Sequence, residues 1–174
     1  MARLILTLSG ADRAGLVAAV AEVVREHEGN WEASQLAELA GVFAGVVQVA
    51  VPDEQVDPLT AALRALDGAL TITVRGGSSE ATASNAPAFG LSIAVLGNDH
   101  PGIVQDIAAT LSASGVSIDR MTTAVREAPM AGGELFDAAI AAHAPDGADL
   151  ASLRTDLERL AGELQVDITV DAEA

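Results

Sequence analysis

The chain has 174 residues, half of them hydrophobic, and a formal net charge of −16. Its nine basic residues are all arginines spread along the chain, which excludes a basic surface able to neutralise phosphates and, with it, direct nucleic-acid binding. The absence of cysteine excludes disulfides, thiol catalysis and thiolate metal sites and fits a cytoplasmic protein. No stretch approaches the length of a membrane span, and the apolar run in MARLILTLSGADRAG is too short and interrupted for a signal peptide.

RLILTLS, with Leu4, Leu6 and Leu8 alternating against Ile5 and Thr7, predicts a strand. Residues 10–15 then read as a turn. Leu16, Val20, Val23 and Val24 recur at helical spacing, with Glu22, Arg25 and Glu26 on the opposite face, and Gly29 and Asn30 end that helix. NWEASQLAEL and VFAGVVQVAVP read as two strands joined near Ala40-Gly41. Val56, Leu59, Leu63 and Leu66 form a second helical stripe, and LTITV closes the unit. The order is β-α-β-β-α-β.

The same order then repeats. FGLSIAVLG predicts a strand, Ile103, Ile107 and Leu111 a helical face, GVSIDRMTTAV and ELFDAAIAAHAP a strand pair, Leu150, Leu153, Leu157, Leu160 and Leu164 a helix, and VDITV the last strand. Asp12 matches Asp99 and Gly15 matches Gly102 at an offset of 87; Phe43 matches Phe136 and Pro52 matches Pro145 at 93. The jump places an insertion in the second hairpin, around REAPMAGGE, expected to be exposed and mobile. The expected organisation is residues 1–75, a flexible linker over residues 76–88, and residues 89–174. Thirteen Gly/Ser/Ala-rich linker residues span roughly 20 Å.

Catalytic patterns are missing: the chain has no G-x-G-x-x-G, Walker A, H-E-x-x-H or G-x-S-x-G sequence. His27 continues an apolar helix face, His143 sits in a strand near Pro145, and no two histidines are close in sequence, so a structural role is the simpler reading of both. The acids are scattered, as on solvated faces. What remains is the repeated corner, ADRAGLV and NDHPGIV, where a strand enters a glycine-containing loop and then a helix. A helix start offers free N–H groups and a partial positive charge, to which carboxylates bind. Gly10, Gly15, Gly97 and Gly102 let a ligand approach the backbone. Asp12 and Asp99 can accept from helix amides or from a ligand ammonium, and Asn30 and Ser117, opening the next strands, are expected to complete each pocket. A plain structural reading carries equal weight. Asp12 and Asp99 can be caps, Pro101 a first helical residue, and the glycines mere turn formers.

Two β-α-β-β-α-β units, with DRAG and DHPG opening the first helices and GNW and GVSI the second strands, resemble tandem ACT domains, in particular the glycine cleavage system transcriptional repressor group. In the first copy Ala14 replaces the usual proline. The resemblance implies an α+β fold of two ferredoxin-like βαββαβ domains, each an antiparallel four-stranded sheet with two helices on one face. It implies a regulatory module for a small amino acid, glycine or serine in size, held at the first strand–helix loop and the start of the second strand. Carried over residue by residue, the ligand positions are Gly10, Asp12, Arg13, Gly15, Leu16 and Asn30, then Gly97, Asn98, Asp99, His100, Gly102, Ile103 and Ser117, where Ser117 stands in place of the commoner Asn. It implies no catalysis, metal or cofactor, and signalling through a partner transcription factor, with a homodimer open to the chain. Related enzymes, such as formyltetrahydrofolate deformylases, carry such a domain as an appendage to a catalytic domain, and none is expected after Ala174. The competing reading is a ligand-free scaffold whose exposed strand edges pair with another protein.

Overall fold

The computed structural model describes residues 1–66, 68, 70–77, 88–128 and 133–173. The chain divides into two compact units, Met1–Ser84 and Asn85–Ala174. In the first, β1 (Ala2–Ala11), α1 (Leu16–Glu26), β2 (Asn30–Leu39), β3 (Val42–Val51), α2 (Val56–Arg64) and β4 (Thr71–Gly76) follow in order, with a short 3₁₀ turn over Asp53–Gln55. In the second, β5 (Ala88–Asn98), α3 (Ile103–Ala113), β6 (Ser117–Glu127), β7 (Glu134–Pro145), α4 (Leu150–Leu164) and β8 (Val166–Glu173) repeat that order. Each unit holds one four-stranded antiparallel sheet, ordered β2-β3-β1-β4 and β6-β7-β5-β8.

The alternation read in the sequence is what separates the faces. Leu4, Leu6 and Leu8 of β1 are buried under the helices, as are Leu91, Ile93 and Val95 of β5. Leu16, Val20 and Val24 of α1 and Ile103, Ile107 and Leu111 of α3 are buried against them, one face of each helix. Each unit has its own aliphatic core, and no polar side chain is buried in either among the described residues. The β2–β3 turn uses Ala40 and Gly41, both at positive φ (51° and 81°), a conformation whose twist matches a hairpin.

Several boundaries differ from expectation. The turn expected at residues 10–15 starts later, because Gly10 and Ala11 still pair with Phe43 and Val42. Gly76 and Ala88, expected in the linker, belong to β4 and β5, and Leu70 precedes β4 as a buried core residue. Residues 78–87, the rest of the expected linker, and residues 129–132 of the expected mobile insertion lie outside the described residues. The pattern also gave no warning that β2 and β6 each contain a β-bulge, between Trp31 and Ala33 and between Ile118 and Arg120. One extra residue reverses which side chains face the helices beyond it. The bulged residues, Glu32 and Asp119, are both acidic and lie 87 positions apart, so the irregularity is part of the repeat.

Candidate functional site

Both corners are built the same way. At the end of β1 the Asp12 N–H donates to the Gly41 carbonyl at 2.8 Å, and at the end of β5 the Asp99 N–H donates to the Glu134 carbonyl at 2.8 Å. Each loop is thus tied to the neighbouring hairpin before it turns into its helix. The turn is made by Gly15 (φ 92°) and Gly102 (φ 106°), which occupy the N-cap positions in a left-handed conformation that L side chains adopt only with strain. Asp12 and Asp99 are therefore not the caps; they are exposed and act through their backbone N–H groups. Pro101 is likewise not the first helical residue but precedes the Gly102 cap, where its fixed φ still restrains the loop.

No side chain caps α1 or α3. The first intrahelical bonds run from Ala19 N–H to Gly15 and from Asp106 N–H to Gly102, at 2.9 and 3.0 Å, so the amides of residues 16–18 and 103–105 have no carbonyl beneath them. Leu16 and Ile103, both predicted site residues, point into the cores and hold the helix starts in place. Only their backbone amides are available to a ligand.

The two corners diverge in charge. In the first, Arg13 lines a hollow of about 310 Å³ with Ser9, Gly10, Ala11, Gly68, Leu70 and Thr71, and the first turn of α1 has no acidic residue. In the second, a hollow of about 450 Å³ opens between Asp99, His100, Gly102, Ile103, Val104, Gln105 and Phe136. There Asp106 stands in the first turn of α3, its Oδ2 only 3.6 Å from where a Cβ on Gly102 would sit. That carboxylate already answers the positive end of the helix, whereas the equivalent position of the first unit is Ala19. His100, at Arg13's place in the repeat, has Nε2 3.0 Å from the Leu164 carbonyl and Nδ1 3.2 Å from the Pro101 carbonyl. Those carbonyls, Leu164's first and then Pro101's, raise its pKa, because they accept from both ring nitrogens of the charged form; nearby Asp99 and Asp106 act in the same direction.

Asn30 and Ser117 do not lie beside the corner of their own unit. Asn30 sits opposite Ala50, which sits opposite Arg3, whereas the corner starts at Ala11. Eight residues of strand separate the two, roughly 26 Å at 3.3 Å per residue. Ser117 lies opposite His143 and Gly90, again eight residues from Asn98. Gly10, Asp12, Arg13, Gly15 and Leu16 thus share one end of the first sheet with Asn30 at the other; Gly97, Asn98, Asp99, His100, Gly102 and Ile103 share one end of the second with Ser117 at the other.

Two features at the far end escaped the sequence reading. His143 Nδ1 is 2.7 Å from the Asp119 carboxylate at the β6 bulge, so His143 is a half-exposed partner of an acid and not simply a strand filler. Glu32, at the same bulge of β2, accepts from Gln48 at 2.7 Å and lies 3.3 Å from Arg3. The 87-residue spacing of the two acids was the available signal. Among the described residues no three His, Asp or Glu side chains converge as metal ligands, and no helix is long and apolar enough to cross a membrane.

Two ACT-domain models match the chain, over residues 2–76 and 91–162. The chain belongs to the ACT-domain family and carries two such domains in tandem, each a ferredoxin-like unit of a class that serves regulation and the sensing of small ligands. Among solved structures it is similar to a protein of unknown function from Galdieria sulphuraria, at 26% identity and a TM-score of 0.89 over 99% of both chains. It is also similar to a protein described as a candidate glycine cleavage system transcriptional repressor, at 17% identity and a TM-score of 0.73, over 99% of this chain and 97% of that one. No curated protein sequence matches the chain.

Proposed function

We propose that this protein is a non-catalytic cytoplasmic sensor of a small amino acid, glycine or serine in size, and that a protein partner such as a transcription factor reads its state. The observation that carries this reading is the glycine-capped start of α1, with three unbonded amides, no acid in its first turn and the Arg13 side chain in the same loop. A carboxylate is the ligand group that such a corner favours. The first corner is the stronger of the two, since Asp106 competes for the same place in the second. Asn30 and Ser117 lie at the far ends of their own sheets and take no part in the corner of their own unit. A net charge of −16 supports action through a protein partner and not through DNA.

A thermal-shift screen of the twenty amino acids tests the reading. A ligand at about 100 times its dissociation constant stabilises the native state by ~2.7 kcal/mol. Stabilisation by one or two small amino acids supports the proposal, and none at millimolar concentration removes it. The scaffold reading is favoured by one observation, the exposed apolar residues Ile118, Met121 and Val125 on edge strand β6. Arg13→Ala, at the side chain that lines the first hollow, separates the two. A sensor loses its ligand response while a scaffold keeps all its interactions.

A further inference from the structure

The second sheet has two edge strands, β6 and β8, and they differ. β6 is interrupted by the bulge at Asp119, a device that blunts an edge. β8 pairs with β5 in one unbroken register, from Val166 opposite Gly97 to Glu173 opposite Gly90, and with no other strand among the described residues. The ladder fixes which of its backbone groups are left over. The Asp99 N–H points to Glu134 on the β7 side, so the odd residues of β5 bond toward β7 and the even ones, Ser92, Ala94 and Leu96, bond toward β8. Their partners Asp171, Thr169 and Asp167 therefore turn amide and carbonyl inward, while Ile168, Val170 and Ala172 turn theirs outward. Arg154 of α4 marks that outer side: its Nη2 donates to the Val170 carbonyl at 3.2 Å.

The side chains of β8 alternate in chemistry as well as direction. Asp167, Thr169 and Asp171 stand exposed on the face away from the helices, and neither aspartate has an ion-pair partner among the described residues. Ile168 and Val170 stand half-buried on the helix side, where a hollow of about 330 Å³ opens beside Val170, lined on α4 by Leu150, Leu153, Arg154 and Glu158. We propose that β8 receives an extended segment of another protein as a fifth strand, a segment that alternates apolar residues with cationic ones. An added antiparallel strand lies about 4.8 Å away and sets its side chains directly opposite those of β8, with Cβ atoms about 4.5–5.5 Å apart. Two cations four residues apart then face Asp171 and Asp167, and the apolar residues lie beside Ile168 and Val170 and reach into the hollow. A second copy of this chain is the wrong occupant, because β8 laid antiparallel on itself about Thr169 sets Asp167 against Asp171 twice. The corresponding edge of the first sheet, β4, turns Thr71, Thr73 and Arg75 to the same face and has no carboxylates to offer. Arg154 holds a carbonyl that the incoming strand needs, so it guards the edge until it is displaced.

Fluorescence anisotropy on the full chain without amino acid tests this independently of the sensing proposal. The probe is a labelled nine-residue peptide with valine at every even position, lysine at the third and seventh and threonine at the rest. A scrambled peptide of the same composition, with its lysines adjacent, controls for attraction to the net negative charge alone. The alternating peptide is expected to saturate the protein and the scrambled one to bind at least tenfold more weakly. Amide exchange of Ile168 and Val170 should slow when the alternating peptide is bound. Asp167→Asn with Asp171→Asn should weaken binding by about three- to tenfold, the loss of two cross-strand ion pairs. Ile168→Pro removes an outward N–H, which an edge strand tolerates, and should abolish binding with circular dichroism unchanged. Arg154→Ala frees the Val170 carbonyl and should tighten binding several-fold. Absence of binding by the alternating peptide, equal binding by the scrambled one, or affinity indifferent to the paired aspartate substitutions would overturn the proposal.

Discussion

Gly15→Ala puts the corner under direct strain. Gly15 sits at φ 92° and ψ −2°, and a Cβ built there meets no atom within 4 Å. The methyl group costs nothing in packing, so the penalty is that of the left-handed backbone, about 1–2 kcal/mol for an L residue. In a unit of this size that lowers the melting temperature by about 5–15 °C. Differential scanning calorimetry with and without the stabilising amino acid reads two quantities at once. The free protein should melt lower, and the ligand's upward shift should shrink, because the methyl group projects into the space through which a carboxylate reaches the α1 amides. Gly102→Ala imposes a similar strain, with Asp106 Oδ2 at 3.6 Å from the new methyl, yet it leaves the first corner untouched. Its ligand shift should therefore persist. If Gly15→Ala melts with the wild type, the backbone argument is wrong. If it melts lower with the ligand shift intact, the glycine serves only the turn and the ligand lies elsewhere.

Other substitutions probe the remaining steps. Gly97→Ala should destabilise the second unit by about 1–3 kcal/mol in chemical denaturation, since its Cβ would lie 2.7 Å from the Val166 Cα across the β5–β8 pair. Leu157→Ala, at 1% exposure in the second core, should cost about 2–5 kcal/mol by the same measurement. Asp106→Ala removes the acid from the first turn of α3. It should lower stability by about 0.3–1 kcal/mol while increasing the affinity of the second corner for a carboxylate, measured by calorimetric titration. The raised pKa of His100 fixes the sign of a pH effect. The bonded, charged form adds stability that is complete below the ordinary histidine pKa and is lost as pH rises through the raised folded value. Melting of the wild type should accordingly fall over that interval, and His100→Ala should flatten the fall.

The order of elements was legible because punctuation and periodicity agreed. β2 runs over the residues expected, since Gly29-Asn30 and Ala40-Gly41 bracket it. α4 spans the whole leucine stripe from Leu150 to Leu164. The bulges were not legible, because an exposed edge strand such as β6 tolerates either parity of its pattern. The placement of Asn30 and Ser117 failed for a different reason. An eleven-residue helix carries the chain about 16 Å back along the sheet, so a strand after a crossover starts at the end where the first strand started. Proximity in sequence to the corner through α1 is therefore distance in space. The loop residues were legible as a group because a strand end and a helix start cannot be separated, but their roles were not. Leu16 is a core residue, and Asp12 contributes an amide where a carboxylate was expected.

The repeat makes the chemical divergence of its corners readable. Arg13 and His100 occupy equivalent positions, and Gly68 and Leu164 are equivalent at the offset of 96 that also relates Ile72 to Ile168. In the first unit a permanent cation lines a hollow beside Gly68; in the second an imidazole meets the last carbonyl of α4, a helix with no basic residue of its own in its final turn. A cation at that place complements the negative end of the helix, and a neutral imidazole, with one N–H for two carbonyls, satisfies only one of them. The second corner therefore carries an imidazole bonded to a helix end, and the first carries a guanidinium. His100→Arg transfers the first corner's chemistry to the second. It should keep a cation beside Leu164 at every accessible pH and remove the pH dependence of melting without lowering stability in acid. A pH profile unchanged by His100→Arg would show that the bonds to Leu164 and Pro101 have no part in it.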